Sequence, residues 1–268
     1  MSNETLNDDR FGLHSYGLFE ADARERTEHF LTPLAQTFVD AVRASMDDYI
    51  EEYQCGKLIH RAQRGYQSLN VQHTHLAPYK KERMVPHKLV SAGRINKAGK
   101  PVFYGAEDEK TAVMECRPWR GEILSVATFQ TNRDRRILDL SGIAPRFNDE
   151  LAMDIIWEGP DDIPADRLKE AAWLDLAMAF SRPVTTEDAW IDYLPTQIIA
   201  ELCKTYPLDG IAFRSSIHTP ENSIAKNIAL FDFDDLEMPS SKMISVQQVD
   251  VQFDEYTSDP PPNFDDMV

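Results

Sequence analysis

Pro101-Val-Phe-Tyr104 leads into Thr111-Ala-Val-Met-Glu115-Cys-Arg117-Pro118. The first stretch has the β-branched and aromatic content of a strand, and Glu107 to Cys116 reads as a short helix behind it. Further strand-like runs follow at Ile123-Leu-Ser-Val-Ala-Thr-Phe129, Arg136-Ile-Leu-Asp-Leu140, Ile211-Ala-Phe213 and Asn227-Ile-Ala-Leu-Phe231, with helix-like segments at Ala165 to Phe180 and Pro195 to Thr205. Strands and helices alternate irregularly, which favours an α+β fold over a doubly wound sheet. Neither a G-x-G-x-x-G turn nor a Walker loop is present, so the two commonest nucleotide folds are excluded.

Outward from this centre the chain changes character. Residues 1–28 are polar and acidic without sustained periodicity and read as a flexible segment. Thr32-Pro33 looks like an N-cap with proline at the first helical position. Leu34, Phe38, Val42 and Met46 then recur every four residues, which predicts an amphipathic helix of about 17 residues within an N-terminal extension spanning 29–56. At the other end, residues 231–268 hold ten acidic residues and a single basic one, Lys242. Residues 236–268 read as an acidic, partly disordered tail with an edge strand from Met243 to Val251.

Net charge is −17, from 45 Asp and Glu against 28 Lys and Arg, a sign that disfavours nucleic acid and anionic membranes as partners. The middle reverses it: residues 57–146 carry 17 Lys and Arg against 8 Asp and Glu. A basic segment inside an acidic protein points to a local anion site. Three scattered cysteines without a C-x-x-C pair, no apolar run of membrane-spanning length and no signal-peptide pattern lead to the expectation of a cytoplasmic protein. Among the histidines, His60, His73, His75 and His87 lack zinc-ligand spacing, so no metal is expected. Ser215, Ser216 and His218 cluster without a nucleophile elbow, a weak signal for a catalytic triad.

One ordered set of blocks is more specific: Ile59-His-Arg61-Ala62, Gly93-Arg94-Ile-Asn96, Tyr104, Thr111-Ala-Val-Met-Glu115-Cys-Arg117-Pro118 and Asp209-Gly-Ile-Ala-Phe-Arg-Ser215. Over residues 57–235 the sequence resembles the RES-domain proteins, named for an Arg, a Glu and a Ser and similar to ADP-ribosyltransferase toxins. The resemblance implies an ADP-ribosyltransferase-like mixed sheet core with flanking helices. It also implies consumption of NAD with release of nicotinamide, by the toxin of a bacterial toxin–antitoxin pair that a helix-turn-helix antitoxin neutralises. Carried over residue by residue, the catalytic positions are Glu115, Tyr104 and Ser215, and the NAD-binding positions are Arg61, Arg94, Tyr104 and Ser215. Phe213 stands where tyrosine is common, and Ser216 leaves the serine assignment open by one.

These residue types suit that chemistry. Cleaving the nicotinamide–ribose bond builds an oxocarbenium-like ribose, which a carboxylate such as Glu115 stabilises. Guanidinium forks at Arg61 and Arg94 match pyrophosphate oxygens. Tyr104 offers a ring to the nicotinamide, and Ser215 a small donor and acceptor. Water, inorganic phosphate and a protein side chain all remain open as acceptors. A non-catalytic nucleotide-binding or interaction module stands as the alternative.

Overall fold

The computed structural model describes residues 15–25, 31–70, 75–143, 164–183, 189–217 and 224–249. Ten strands are present among the described residues: β1 Ile50–Tyr53, β2 Leu58–Arg64, β3 Gln67–Ser68, β4 Leu76–Ala77, β5 Phe103–Ala106, β6 Ile123–Gln130, β7 Arg135–Asp139, β8 Gly210–Arg214, β9 Lys226–Leu230 and β10 Glu237–Ser245. Eight of them form one sheet in the order β1-β7-β8-β9-β5-β2-β6-β10, and β3 pairs with β4 apart from it. Among the described residues only β7 and β8 run parallel, and every other pairing is antiparallel. With helices α1 Ser15–Glu25, α2 Pro33–Ser45, α3 Lys81–Met84, α4 Glu109–Glu115, α5 Ala165–Ser181, α6 Ala189–Asp192 and α7 Leu194–Thr205, the fold is α+β.

The central strands are apolar on both faces because each face carries a core. On β8, Ile211 and Phe213 enter a cluster with Phe38, Val42, Trp173 and Phe180 of the helices. Ala212, pointing the other way, joins Ile59, Phe103, Phe129 and Ile228. One junction in the sheet is thin: β2 and β5 share a single ladder pair, His60↔Ala106, before they diverge. At this crossing a Cβ on Gly105 would lie 2.5 Å from Ile59 Cγ2 and 2.9 Å from the His60 carbonyl, so only glycine fits.

Several expectations need correction at the ends of the chain. Residues 15–25, read as flexible, form α1, whose Tyr16, Phe19 and Ala23 are buried at helical spacing. Phe19 stacks on Phe38 of α2 at 4.9 Å. The signal was short and diluted by Glu20, Asp22 and Glu25. Helix α2 does begin at the expected cap, with Thr32 Oγ1 accepting from the Ala35 N–H at 3.1 Å. It stops at Ser45 and continues as a single 3-10 turn over Met46–Tyr49, so it is shorter than predicted, and Leu34 stays exposed. The extension then supplies β1, and Arg61 lies on β2, a strand the apolar-run reading passed over because its sequence is half polar.

The expected edge strand starts earlier than predicted. Residues 237–245, placed in the acidic tail, pair with β6 from Ser240↔Thr128 to Ser245↔Ile123. Pro239 is tolerated there because β10 is the sheet edge and the register shifts between Glu237 and Ser240. Residues 250–268 of that tail lie outside the described residues, as do residues 1–14. No described helix is long and apolar enough to cross a membrane.

Because Phe19 is only 1% exposed and packs into the main core, Phe19→Ala should destabilise the protein by about 3–5 kcal/mol, the usual range for emptying a buried aromatic site. Denaturant unfolding checks this. A change below about 1 kcal/mol would mean that α1 does not hold the core together.

Candidate active site

A cavity of about 420 Å³ opens where β2 and β5 part, within the size range of small-molecule sites. Arg61, Arg94, Tyr104 and Glu115 line it, together with Arg117, Phe213, Arg214, Ser216 and Asn227. Four of these are arginines and only one is a carboxylate, so this cavity in an acidic protein is cationic.

The carboxylate sits on α4. Asp108 caps the helix by accepting from the Thr111 N–H at 2.9 Å, which sets the seven-residue helix so that its last residue, Glu115, reaches the cavity. Glu115 Oε1 accepts from Ser215 Oγ at 2.6 Å and from Asn227 Nδ2 at 2.7 Å. Its Oε2 makes no hydrogen bond among the described residues. Ser215 is 2% exposed and follows β8, whereas exposed Ser216 lines the cavity. Ser215 therefore bonds to Glu115, while Ser216 lines the cavity. Asn227 on β9 gave no sign in the sequence, because an asparagine opening a strand-like run looks like an edge residue.

The Gly93–Asn96 block is a rigid loop. Tyr104 Oη donates to Asn96 Oδ1 at 2.9 Å and accepts from the Ile95 N–H at 3.0 Å. Gln197 Nε2 on α7 donates to the carbonyls of Gly93 and Asn96 at 2.7 and 2.9 Å, and Thr196 Oγ1 donates to the Arg94 carbonyl at 2.8 Å. Burial pushes the Tyr104 hydroxyl well above the ordinary tyrosine range, with the Ile95 N–H opposing. The hydroxyl thus stays protonated and ties the loop, leaving the ring to the cavity.

Both expected arginines reach the cavity, but backbone carbonyls hold them. Arg61 Nη1 donates to the Tyr104 carbonyl at 2.5 Å, across the gap where the β2–β5 ladder stops. Arg94 Nη1 donates to the Phe180 carbonyl, and Nη2 to the Arg182 carbonyl at 2.5 Å, at the C-terminal end of α5. Burial lowers the Arg61 pKa to about 10 and also lowers that of Arg94, leaving both cationic at neutral pH. Two buried polar atoms of the lining residues are without partners: Arg61 Nε, a donor, and Asn227 Oδ1, an acceptor.

No group of three or more His, Cys, Asp or Glu that could hold a metal ion occurs among the described residues. His73 and His218 lie outside them.

An α+β sheet split around an arginine-lined cavity, with one carboxylate fixed by a serine, defines the class of site. The family model of the RES domain matches residues 58–254, and the chain belongs to that family. Among solved structures, a chain of the M. tuberculosis MbcT-MbcA toxin-antitoxin complex is similar at a TM-score of 0.36 and 10% identity, covering 77% of this chain and 93% of that one. No curated protein matches the sequence.

Cys116, also in the cavity wall, reports on its closure. Burial pushes its thiol up to about 11, and that of Cys203 up to about 12, while Cys55 is exposed. At pH 8 a thiol with a pKa near 11 holds roughly 100-fold less thiolate than an ordinary cysteine. Iodoacetamide should therefore label Cys55 first and Cys116 slowly. Cys116 labelling should quicken about tenfold per pH unit towards pH 11, and Cys203 should label only on unfolding. Peptide mass spectrometry reads the order, and equal rates for Cys55 and Cys116 at pH 8 would show an open wall.

Proposed function

We propose that this RES-domain protein binds NAD in the cavity, cleaves the nicotinamide–ribose bond, and acts as the toxin of a bacterial toxin–antitoxin pair. The observation that carries the reading is the state of Glu115: it lines a cavity walled by arginines, one oxygen is held by Ser215 and Asn227, and the other makes no hydrogen bond among the described residues. Such a carboxylate is preorganised to face a developing positive charge without rearranging during the reaction. The unpartnered Arg61 Nε and Asn227 Oδ1 add support, since one needs an acceptor and the other a donor, and the carboxamide of nicotinamide carries both.

In the step itself, the bond between ribose C1′ and the pyridinium nitrogen breaks, and its electron pair neutralises the leaving nicotinamide. A lone pair on the acceptor oxygen forms the new bond to C1′, and the acceptor's proton passes to Glu115 or to solvent. Glu115 Oε2 stabilises the ribose cation, Ser215 and Asn227 position that carboxylate, and the Tyr104 ring packs on the nicotinamide. Water as acceptor gives an NAD glycohydrolase, and inorganic phosphate an NAD phosphorylase. Transfer to a protein side chain would make it an ADP-ribosyltransferase instead. The family resemblance favours depletion of NAD, with a helix-turn-helix antitoxin as the neutralising partner.

Incubation of the purified chain with NAD, with and without phosphate, followed by product mass analysis, tests the reading. Nicotinamide should be released together with ADP-ribose or its 1-phosphate. Binding of NAD with no product at all would favour a non-catalytic module. Glu115→Gln should lower cleavage about 100-fold or more, the scale of losing one preorganised electrostatic group, while NAD affinity changes less than about tenfold. Wild-type turnover in this variant would remove the carboxylate from the chemistry. Induced expression of the wild-type chain in bacteria should stop growth and lower cellular NAD. Expression of Glu115→Gln should do neither.

A further inference from the structure

Arg117 is the one non-glycine residue with a positive φ among the described residues, at 46°. It stands directly after the C-cap of α4, the position where helices usually place glycine because a Cβ is strained there. The turn is nonetheless firmly held. The Arg117 N–H donates to the Met114 carbonyl at 2.8 Å. Arg64 Nη2 donates to the carbonyls of Cys116 and Arg117, each at 2.7 Å. The Arg64 guanidinium lies over the Trp119 ring at 4.5 Å, and Arg64 Nε is 3.5 Å from Glu122 Oε1. One arginine thus holds the backbone that presents another.

The side chain so presented lines the cavity, two residues beyond Glu115, and makes no hydrogen bond or ion pair with any described residue. Arg214, one residue before Ser215 on β8, is in the same condition. Arg61 and Arg94, by contrast, are anchored to carbonyls. Strain persists in folded proteins where surrounding structure enforces it, and it concentrates at ligand-holding positions. A guanidinium with all its donors free is suited to bidentate capture of a phosphate group.

We infer that Arg117 and Arg214 form a phosphate-binding subsite of the cavity, next to Glu115 and separate from the anchored pair Arg61 and Arg94. The inference deepens the proposed reading and rests on it for the identity of the phosphate, which belongs either to the pyrophosphate of NAD or to an inorganic phosphate acceptor.

Calorimetry in the Glu115→Gln background, where turnover is suppressed, separates these sources. The probes are NAD, nicotinamide riboside, which carries no phosphate, and inorganic phosphate. Arg117→Gly suits the test because glycine accepts the backbone at φ 46° without strain, so the unfolding temperature should hold or rise while the guanidinium is lost. Arg214→Gln and Arg117→Lys are companions that keep side-chain bulk should Arg117→Gly fail to fold.

If the phosphate is that of NAD, Arg117→Gly and Arg214→Gln should each weaken NAD at least tenfold and leave nicotinamide riboside unchanged. Arg117→Lys should lose less than Arg117→Gly. If the phosphate is the acceptor, NAD affinity should hold and inorganic phosphate binding should fall at least tenfold. Unchanged binding of all probes, or equal loss of NAD and nicotinamide riboside, would overturn the subsite. Should the parent protein bind no NAD, the proposed function fails by itself. The phosphate arm then still decides: arginine-dependent phosphate binding keeps the subsite, and no phosphate binding removes it.

Discussion

Strands β2 and β5 touch through one ladder pair, and the Arg61 guanidinium takes over where the ladder stops, bonding to the carbonyl of Tyr104. Two neighbouring strands that diverge in mid-sheet leave backbone groups without ladder partners, and buried groups of that kind must be satisfied some other way. A long side chain with a planar fork of donors does this without closing the gap. The cavity is the space that remains. Gly105 permits the close crossing at one end, and Arg61 satisfies the backbone on the open side. Glu115, Asn227 and the Gly93–Asn96 loop are useful only because this gap exists for them to surround.

The electrostatics follow from the same geometry. A chain of net charge −17 concentrates four arginines around one carboxylate in its cavity. Elsewhere several basic residues are matched by acids. Arg133 pairs with Asp209 at 2.6 Å, Arg135 with Asp235, and Lys226 with Asp139 at 2.6 Å. Burying an arginine lowers its pKa, but carbonyl hydrogen bonds offset part of the desolvation, and the intrinsic pKa is high enough that the charge survives. The cavity is thus opposite in sign to the net charge of the chain.

Structure outside the matched residues 58–254 also shapes the site. Helices α1 and α2 bury Phe19, Phe38 and Val42 in the core shared with Trp173 and Phe180 of α5. Glu20 on α1 accepts from Arg182 Nη2 at 2.8 Å and from Arg24 Nη2 at 2.9 Å, and the Arg182 carbonyl in turn holds Arg94. The N-terminal helix is therefore one ion pair away from an arginine of the cavity.

Much of this was legible in the residues alone. The strand and helix runs expected between residues 101 and 231 appear close to their predicted bounds, since apolar periodicity and caps such as Thr32-Pro33 are local signals. The ordered Arg, Tyr, Glu and Ser blocks named the residues that meet in the cavity or, for Ser215, just behind it. What the residues alone could not reveal is pairing across distance. Helix α1 is too polar to show itself until it has a partner to cover, and of strand β10 only the last three residues, 243–245, fell within the expected edge strand. The same holds for function at the level of single atoms. Ser215 differs from Ser216 only by the direction its side chain takes after β8, and Asn227 matters only because β9 runs beside β8. Arg117 is free, and Arg94 tied, because of where backbone carbonyls happen to lie. Side-chain chemistry is written in the sequence, but which donors remain available is decided by the tertiary neighbours that satisfy the rest.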